Sequence, residues 1–156
     1  MNVHYILIDD LNPGHRELSI CRTGTVNRVR LGDDNYRTYA SLRIDAHDYA
    51  ALFHYGIIEA CNALPFLSES GNMLDSWDEA FLYRTHLQEL ATILADAAGK
   101  TERQTPETIL LGWQDQPAAV AYLRRIDPEK TVAFLERLVL FVKESEQGKY
   151  DLEFIL

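Results

Sequence analysis

Five side chains that could bind a cation or move a proton are predicted to meet at one end of a small sheet. They are Asp9, Asp10, His15, Asp33 and Asp34, and they follow the first and third predicted strands. In an antiparallel meander these two connections leave the same end of the sheet. Carboxylates beside an imidazole suit a hard divalent cation or general acid–base catalysis. This strand-end cluster is the site we expect if the chain is a small enzyme or binds a small ligand.

Two observations weigh against a metal in the strand-end cluster. Aspartate is favoured in turns because its carboxylate bonds to nearby backbone, and the spacing matches no calcium-binding loop or nucleotide motif. The sequence also shows no glycine-rich phosphate loop, no paired His/Cys metal motif and no nucleophile elbow. We therefore expect no catalytic residue, no metal and no cofactor, and the enzyme remains the alternative function.

A second candidate site is a set of arginines on the predicted hairpin 26–44. Its four-residue loop predicts pairing of Arg30 with Arg37 and of Arg28 with Tyr39. Guanidinium groups bind phosphate or carboxylate in bidentate fashion. The predicted anion-binding set is Arg28, Arg30, Arg37 and Arg43. A solvated outer face is the simpler interpretation, and the formal net charge of −9 argues against nucleic acid as the partner.

The histidines and cysteines are spaced too widely to suggest a shared site. His47 and His54 lie seven residues apart on one predicted helix, about 10.5 Å along its axis, which is too far to share a metal. Each histidine is expected to be a boundary residue with a satisfied ring. Cys21 and Cys61 are expected to be free, buried thiols in a reducing compartment.

The negative charge is concentrated in residues 45–99. This stretch holds nine acids and one base, Arg84, out of a chain of 156 residues with a net charge of −9. The acids are Asp45, Asp48, Glu59, Glu69, Asp75, Asp78, Glu79, Glu89 and Asp96. A local excess of one sign steers partners of the opposite sign, so the composition predicts a basic partner.

The elements that would position these residues predict a single α+β domain spanning residues 1–156. Alternating apolar runs predict four strands that form an N-terminal antiparallel meander, joined by a C-terminal strand. The predicted strands cover 3–9, 17–22, 26–31, 36–44 and 150–156. Three or four helices, including 45–64, 76–98 and 128–147, should pack on one face of this sheet.

Capping signals set the expected helix ends. Ser76 and Glu79 have the spacing of a capping box, and Gly99 would end that helix. Thr105-Pro106-Glu107 and Asp127-Pro128-Glu129 both have the order of an N-cap, an N1 proline and a first-turn acid. Each of these triplets therefore predicts the start of a helix.

Helical periodicity places four carboxylates on the outward faces of the predicted helices. They are Asp78, Glu89 and Asp96 on the helix 76–98 and Glu59 on the helix 45–64. The loop 65–75 adds the large apolar side chains Phe66 and Met73, and such a loop either packs into the core or contacts a partner. We take these six residues as the expected partner-binding set.

Charge, size and the missing catalytic motifs favour a non-catalytic protein-binding module. The most specific version is an acidic inhibitor of the immunity or antitoxin type, which neutralises a basic protein such as a nuclease toxin. Self-association to a homodimer is compatible with an exposed edge strand at 150–156. No apolar stretch approaches the roughly 18 residues of a membrane span and no signal peptide is recognised, so the cytoplasm is the expected location.

Overall fold

The computed structural model describes residues 2–8, 18–23, 28–30, 36–38 and 41–156, and these form an α+β fold. The predicted fold class is therefore confirmed. The elements in chain order are β1 (His4–Leu7), β2 (Ser19–Thr23), β3 (Arg28–Arg30), β4 (Tyr36–Thr38), β5 (Ser41–Arg43), α1 (Ala46–His54), α2 (Ile57–Cys61), β6 (Leu67–Ser68), β7 (Glu79–Leu82), a 3₁₀ turn (Arg84–His86), α3 (Leu87–Thr101), β8 (Glu107–Gln114), β9 (Val120–Ile126), α4 (Pro128–Gln147) and β10 (Asp151–Ile155).

The larger sheet is antiparallel and has the strand order β5-β2-β10-β7-β6. The last strand, β10, lies at its centre, where Leu152 and Phe154 are buried and alternate with the half-buried Asp151 and Glu153. The prediction that 150–156 joins the sheet is confirmed. The prediction that it forms an exposed edge is wrong, because β2 and β7 pair with its two sides.

The smaller sheet has three strands in the order β1-β9-β8. β8 and β9 form an antiparallel hairpin with an irregularity between Leu110 and Gly112, and β1 pairs parallel to β9. The predicted four-stranded meander is therefore wrong. β1 and β2 belong to different sheets, because each finds its main-chain partners far along the chain rather than in its neighbour.

β3 and β4 pair with each other in a separate two-stranded sheet. Arg30 pairs with Tyr36 and Arg28 with Thr38, so the predicted pairing of Arg30 with Arg37 and of Arg28 with Tyr39 is off by one residue. Five residues separate Arg30 from its actual partner Tyr36, whereas six separate it from the predicted partner Arg37. The connection is therefore shorter by one residue than predicted, and this shifts the register by one.

Two of the predicted helices differ in the structure. The helix predicted over 45–64 is divided into α1 and α2 at Gly56, which has a left-handed backbone with φ of 68°. The capping box at Ser76 starts no helix, because β7 covers Glu79–Leu82 and pairs with β10. The helix that follows, α3, continues past Gly99 to Thr101.

The two proline triplets have different outcomes. Thr105-Pro106-Glu107 leads into the strand β8, which begins at Glu107. Its prediction as a helix start is therefore wrong. Asp127 caps α4 as predicted, its side chain accepts a hydrogen bond from the Glu129 amide, and Gly148 is the C-cap. The capping signal is thus confirmed in α4, where a long helical repeat of apolar residues follows it.

One apolar core joins the five-stranded sheet to the helices. Its fully buried side chains include Leu82, Leu90, Phe134, Leu138 and Leu152. Within the described part of the chain, no helix combines the length and the apolar character that crossing a bilayer requires.

Candidate interaction surface

One face of the three-stranded sheet carries two cross-strand rows of apolar side chains. Register pairs Tyr5 and Trp113 with Ala121 from either side, and it pairs Leu7 and Leu110 with Leu123 in the same way. Residues paired in this manner project from the same side of a sheet. We call this set of six residues the apolar sheet face: Tyr5, Leu7, Leu110, Trp113, Ala121 and Leu123.

The apolar sheet face is open to solvent at its outer strands. Tyr5, Leu7, Leu110 and Trp113 are between 48% and 71% exposed, while the small Ala121 between them is buried. Among the described residues ten large apolar side chains are exposed, and four of these belong to the apolar sheet face. Because isolated exposed apolar residues are normal but a contiguous group is not, this concentration marks an interaction surface.

The opposite face of the same sheet is buried along the end of β9, although Ile6 on β1 is 44% exposed there. Ile126 is fully buried and Arg124 is almost so, and both alternate with the residues of the apolar sheet face along β9. Helix α1 packs against β9. The sheet thus rests on the rest of the fold through one face and presents the other outward.

A cleft of about 560 Å³ adjoins β8 and extends the exposed apolar surface. Its walls come from α1, from the segment before β7 and from β8, and its lining residues include Tyr49, Phe53, Trp77, Leu110 and Leu111. Trp77 is 75% exposed and has a positive φ of 63°. At the first residue of β8, Glu107 Oε1 lies 2.6 Å from His54 Nε2, and this contact joins α1 to the strand.

Acidic side chains flank Trp77. Asp75, Asp78 and Glu79 lie within two residues of it, and no base falls in the same stretch. We call these three the acidic rim. The Ser70 hydroxyl donates to the Asp78 carboxylate, and this bond, with help from the Glu79 amide, lowers the pKa of Asp78. Asp78 therefore stays ionised at neutral pH and contributes negative potential beside Trp77.

The other carboxylates of the predicted partner-binding set are exposed but lie on different elements. Glu59 is on α2, and Glu89 and Asp96 are on α3. None of the three lines the cleft beside β8. These carboxylates can steer a basic partner at long range, but they do not adjoin the apolar sheet face.

The two apolar residues predicted to contact a partner are held by the core. Phe66 is buried and packs edge-to-face on Phe154 with ring centroids 5.2 Å apart, so its place on a contact surface is wrong. Met73 is half-buried and packs against the same core. Asn62 fixes this loop by exchanging two hydrogen bonds of 2.9 Å with the backbone of Leu74.

The predicted arginine set is divided between two sheets. Arg43 lies on β5 and pairs with Ser19 in the five-stranded sheet, whereas Arg28, Arg30 and Arg37 lie on the separate hairpin of β3 and β4. Their division between two sheets removes the register on which a common anion-binding face depended. The strand-end cluster of Asp9, Asp10, His15, Asp33 and Asp34 lies outside the described residues.

Asp45, His47 and Asp48 form the one group of possible metal ligands found among the described residues, with ligand atoms within 4.8 Å of one another. The Lys130 ammonium lies 2.6 Å from Asp45 and 3.2 Å from Asp48. His47 accepts a hydrogen bond from the Asp127 amide at Nε2, so Nδ1 carries the proton and donates to Asp48. Because Lys130 already supplies the positive charge and both ring nitrogens are engaged, this cluster is an ion-paired clamp between α1 and α4.

The clamp also sets the charge of Asp45. Partial burial on its own would raise the pKa of this carboxyl, but the hydrogen bonds from Lys130 and from the Asp48 amide outweigh burial and lower the pKa below its ordinary value. Sequence spacing indicated that His47 has a satisfied ring, and the structure confirms this. One of its two partners, the Asp127 amide between β9 and α4, is distant along the chain and could not be recognised from spacing.

In the comparisons with known proteins, no family model, no curated protein and no solved structure matched the chain. The arguments for function therefore rest on the residues and their geometry.

Proposed function

We propose that this protein is a non-catalytic binding module that docks another protein on the apolar sheet face. The observation that carries the proposal is the pair of cross-strand rows from Tyr5 to Trp113 and from Leu7 to Leu110, left open on one side of the sheet. Exposed aromatic and aliphatic side chains of this kind supply most of the binding energy in protein interfaces. The cleft beside Trp77 is large enough to receive an anchoring side chain of the partner.

Charge favours a basic partner. The acidic rim adjoins Trp77 along the chain, and the whole stretch 45–99 holds nine acids and one base. Such charges act mainly on the association rate, which falls as salt screens them over about 8–10 Å. An acidic inhibitor of the immunity type, which neutralises a basic protein such as a nuclease toxin, is the most specific form of this proposal.

Site-specific photo-crosslinking in the cell of origin tests the docking face. A photoreactive amino acid at Leu7 should give a covalent adduct with another protein, and mass spectrometry should identify that protein as basic. The matched control is the same amino acid at Leu140, which is 58% exposed but lies on α4 away from the sheet. Equal labelling from both positions, or no adduct from Leu7, would overturn the proposal.

The acidic rim is tested separately once the partner is in hand. Neutralising Asp75, Asp78 and Glu79 as amides should slow association at low salt, with little change in dissociation. Neutralising Glu89 and Asp96 should slow association less, because these charges lie on α3 and not beside the cleft residue Trp77. Association rates measured by stopped-flow at two salt concentrations distinguish the outcomes, and a salt-independent rate would remove the basic partner from the proposal.

A further inference from the structure

The outer edge of β8 is an unpaired strand edge. β8 has eight residues, and β9 is its only partner among the described strands. The side chains of Leu110, Leu111 and Trp113 are exposed, and no described strand pairs with this edge. A long strand at the edge of a sheet offers a row of main-chain donors and acceptors to any strand that arrives beside it.

β8 has few of the features that keep edge strands from pairing. Proteins protect such edges with lysine, proline, inward-pointing charges or β-bulges. β8 contains no lysine and no proline, and its single charge, Glu107, is at its first residue and is engaged by His54. The bulge at Leu111 is the one irregularity along it. The strand is therefore suited to pairing over most of its length.

The distribution of charge favours a second copy of this chain as the partner of the β8 edge. The chain as a whole carries −9, and two copies would repel each other through most of their surfaces. The exposed charges of β1, β8 and β9 are one acid, Glu107, and one arginine, Arg125, because Arg124 is buried. This sheet therefore carries no net exposed charge, and a second copy meets little repulsion from it.

The sequence of β8 is also compatible with itself. In an antiparallel pair about a two-fold axis between Leu110 and Leu111, Thr108 faces Trp113 of the second copy and Ile109 faces Gly112. These partners lie on matching sides of the strand when the bulge is counted. The bulged Leu111 then faces Leu110 of the second copy at the axis, which confines the irregularity to one place.

We infer that two copies of this protein pair edge to edge through β8 to form one six-stranded sheet. The order of strands is β1-β9-β8 followed by the same three strands of the second copy in reverse. This dimer leaves the apolar sheet face open and joins the two faces into one surface of twice the width. The inference therefore rests on the proposed function and extends it, because the dimer places the apolar sheet faces of two protomers side by side.

Sedimentation velocity on the full chain tests the inference over about 1–200 µM protomer, where mass action governs a reversible dimer. The mass should double with concentration, and hydrogen exchange of the β8 amides should slow in parallel. A monomer over the whole range would overturn the inference, and so would a dimer in which the β8 amides exchange as in the monomer.

A charge-swap experiment locates the contact. Leu111→Lys should raise the dimer dissociation constant by about tenfold or more, because two ammonium groups meet near the axis, whereas Leu140→Lys should leave it unchanged. Leu111→Glu should also weaken the dimer, and an equimolar mixture of the Lys and Glu variants should restore it. Failure of the mixture to associate would overturn the pairing through β8.

The outcomes separate this inference from the proposed function. Leu7 lies on β1, the strand farthest from the paired edge. A crosslink from Leu7 to another protein in a chain that stays monomeric would keep the docking face and remove the dimer. A dimer with protected β8 amides and no partner at Leu7 would do the reverse.

Discussion

The Nζ atom of Lys130 lies 2.6 Å from the Oδ2 atom of Asp45, the residue that caps α1. This contact joins the first turn of α4 to the beginning of α1. Asp48, only 2% exposed, completes the clamp at 3.2 Å from the same ammonium. The packing of α1 on α4 is therefore stabilised by the Lys130 ammonium, which faces the carboxylates of Asp45 and Asp48.

Removing the positive charge should destabilise the protein. In Lys130→Met the buried carboxylate of Asp48 keeps only His47 as a side-chain partner. Leaving a buried charge unpaired costs several kcal/mol, and because Lys130 is one-third exposed we expect about 2 kcal/mol. Urea unfolding measures the loss. Lys143→Met, an exposed lysine on the same helix, should change stability by less than about 0.5 kcal/mol, and equal losses in both variants would contradict the clamp.

The clamp should make stability depend on acid pH. The pKa of Asp45 is lowered in the folded protein because its bonds from Lys130 and the Asp48 amide outweigh its burial. A carboxyl with a lowered folded pKa adds stability above its unfolded value, about 3.9, and this stability is lost as pH falls through the folded value. Asp45→Asn keeps an oxygen for the cap but carries no charge.

The free energy of unfolding of the wild type should exceed that of Asp45→Asn by a constant amount between about pH 5 and 7. The difference should shrink once the pH falls below about 4. Urea unfolding across this range measures it. Glu136→Gln, at an exposed position on α4, should show no such convergence, and a pH-independent difference for Asp45 would contradict the shift.

The protein is expected to become more stable when Tyr55 loses its hydroxyl. Its oxygen is buried and has no hydrogen-bond partner among the described atoms, and a buried polar atom without a partner is costly. Burial, with the nearby carboxylates of Glu107 and Asp127, raises the pKa of the phenol. Tyr55→Phe should therefore stabilise the fold by up to about 1 kcal/mol in urea unfolding. Tyr122→Phe, which loses a bond to Gln114, should give no gain, and a destabilised Tyr55→Phe would contradict the assignment.

The two free cysteines should differ in reactivity. Cys61 is buried in the core, and burial raises the pKa of its thiol to about 12. The thiolate is the reactive form, so a disulfide reagent at pH 8 should label the half-buried Cys21 and should label Cys61 only after unfolding. Counting labelled thiols by mass spectrometry with Cys21→Ser and Cys61→Ser as references checks this, and rapid labelling of Cys61 in the folded protein would contradict it.

Local signals predicted the elements whose stability is largely local. The helix α4 has an N-cap, a proline at N1, a sustained apolar stripe and a glycine at its end, and all of them agree. β7 shows the opposite case. Ala80 and Leu82 fit either a helix or a strand over so short a segment, and their pairing with Phe154 and Leu152 decides the outcome. The sequence spacing carried no information about that distant partner.

The candidate surface was missed for the same reason. The segment 107–126 contains two alternating runs joined at Pro117, which is a hairpin signal. The triplet Thr105-Pro106-Glu107, however, predicts the start of a helix at the same place. Tyr5 and Leu7 could be assigned to a strand, yet their neighbours on β9 could not. Only the parallel pairing of β1 with β9 brings these side chains beside Trp113 and Leu110.

The position of β10 has a consequence for the order of folding. The central strand of the five-stranded sheet follows β2 and β7 along the chain, so the inner edges of these two strands stay unpaired until β10 has been synthesised. Pairing over such sequence separations closes large loops and is slow. Until that closure the nascent chain exposes two further unpaired strand edges. The interval before β10 docks is thus the period in which a crowded cell could capture the chain in aggregates or on chaperones.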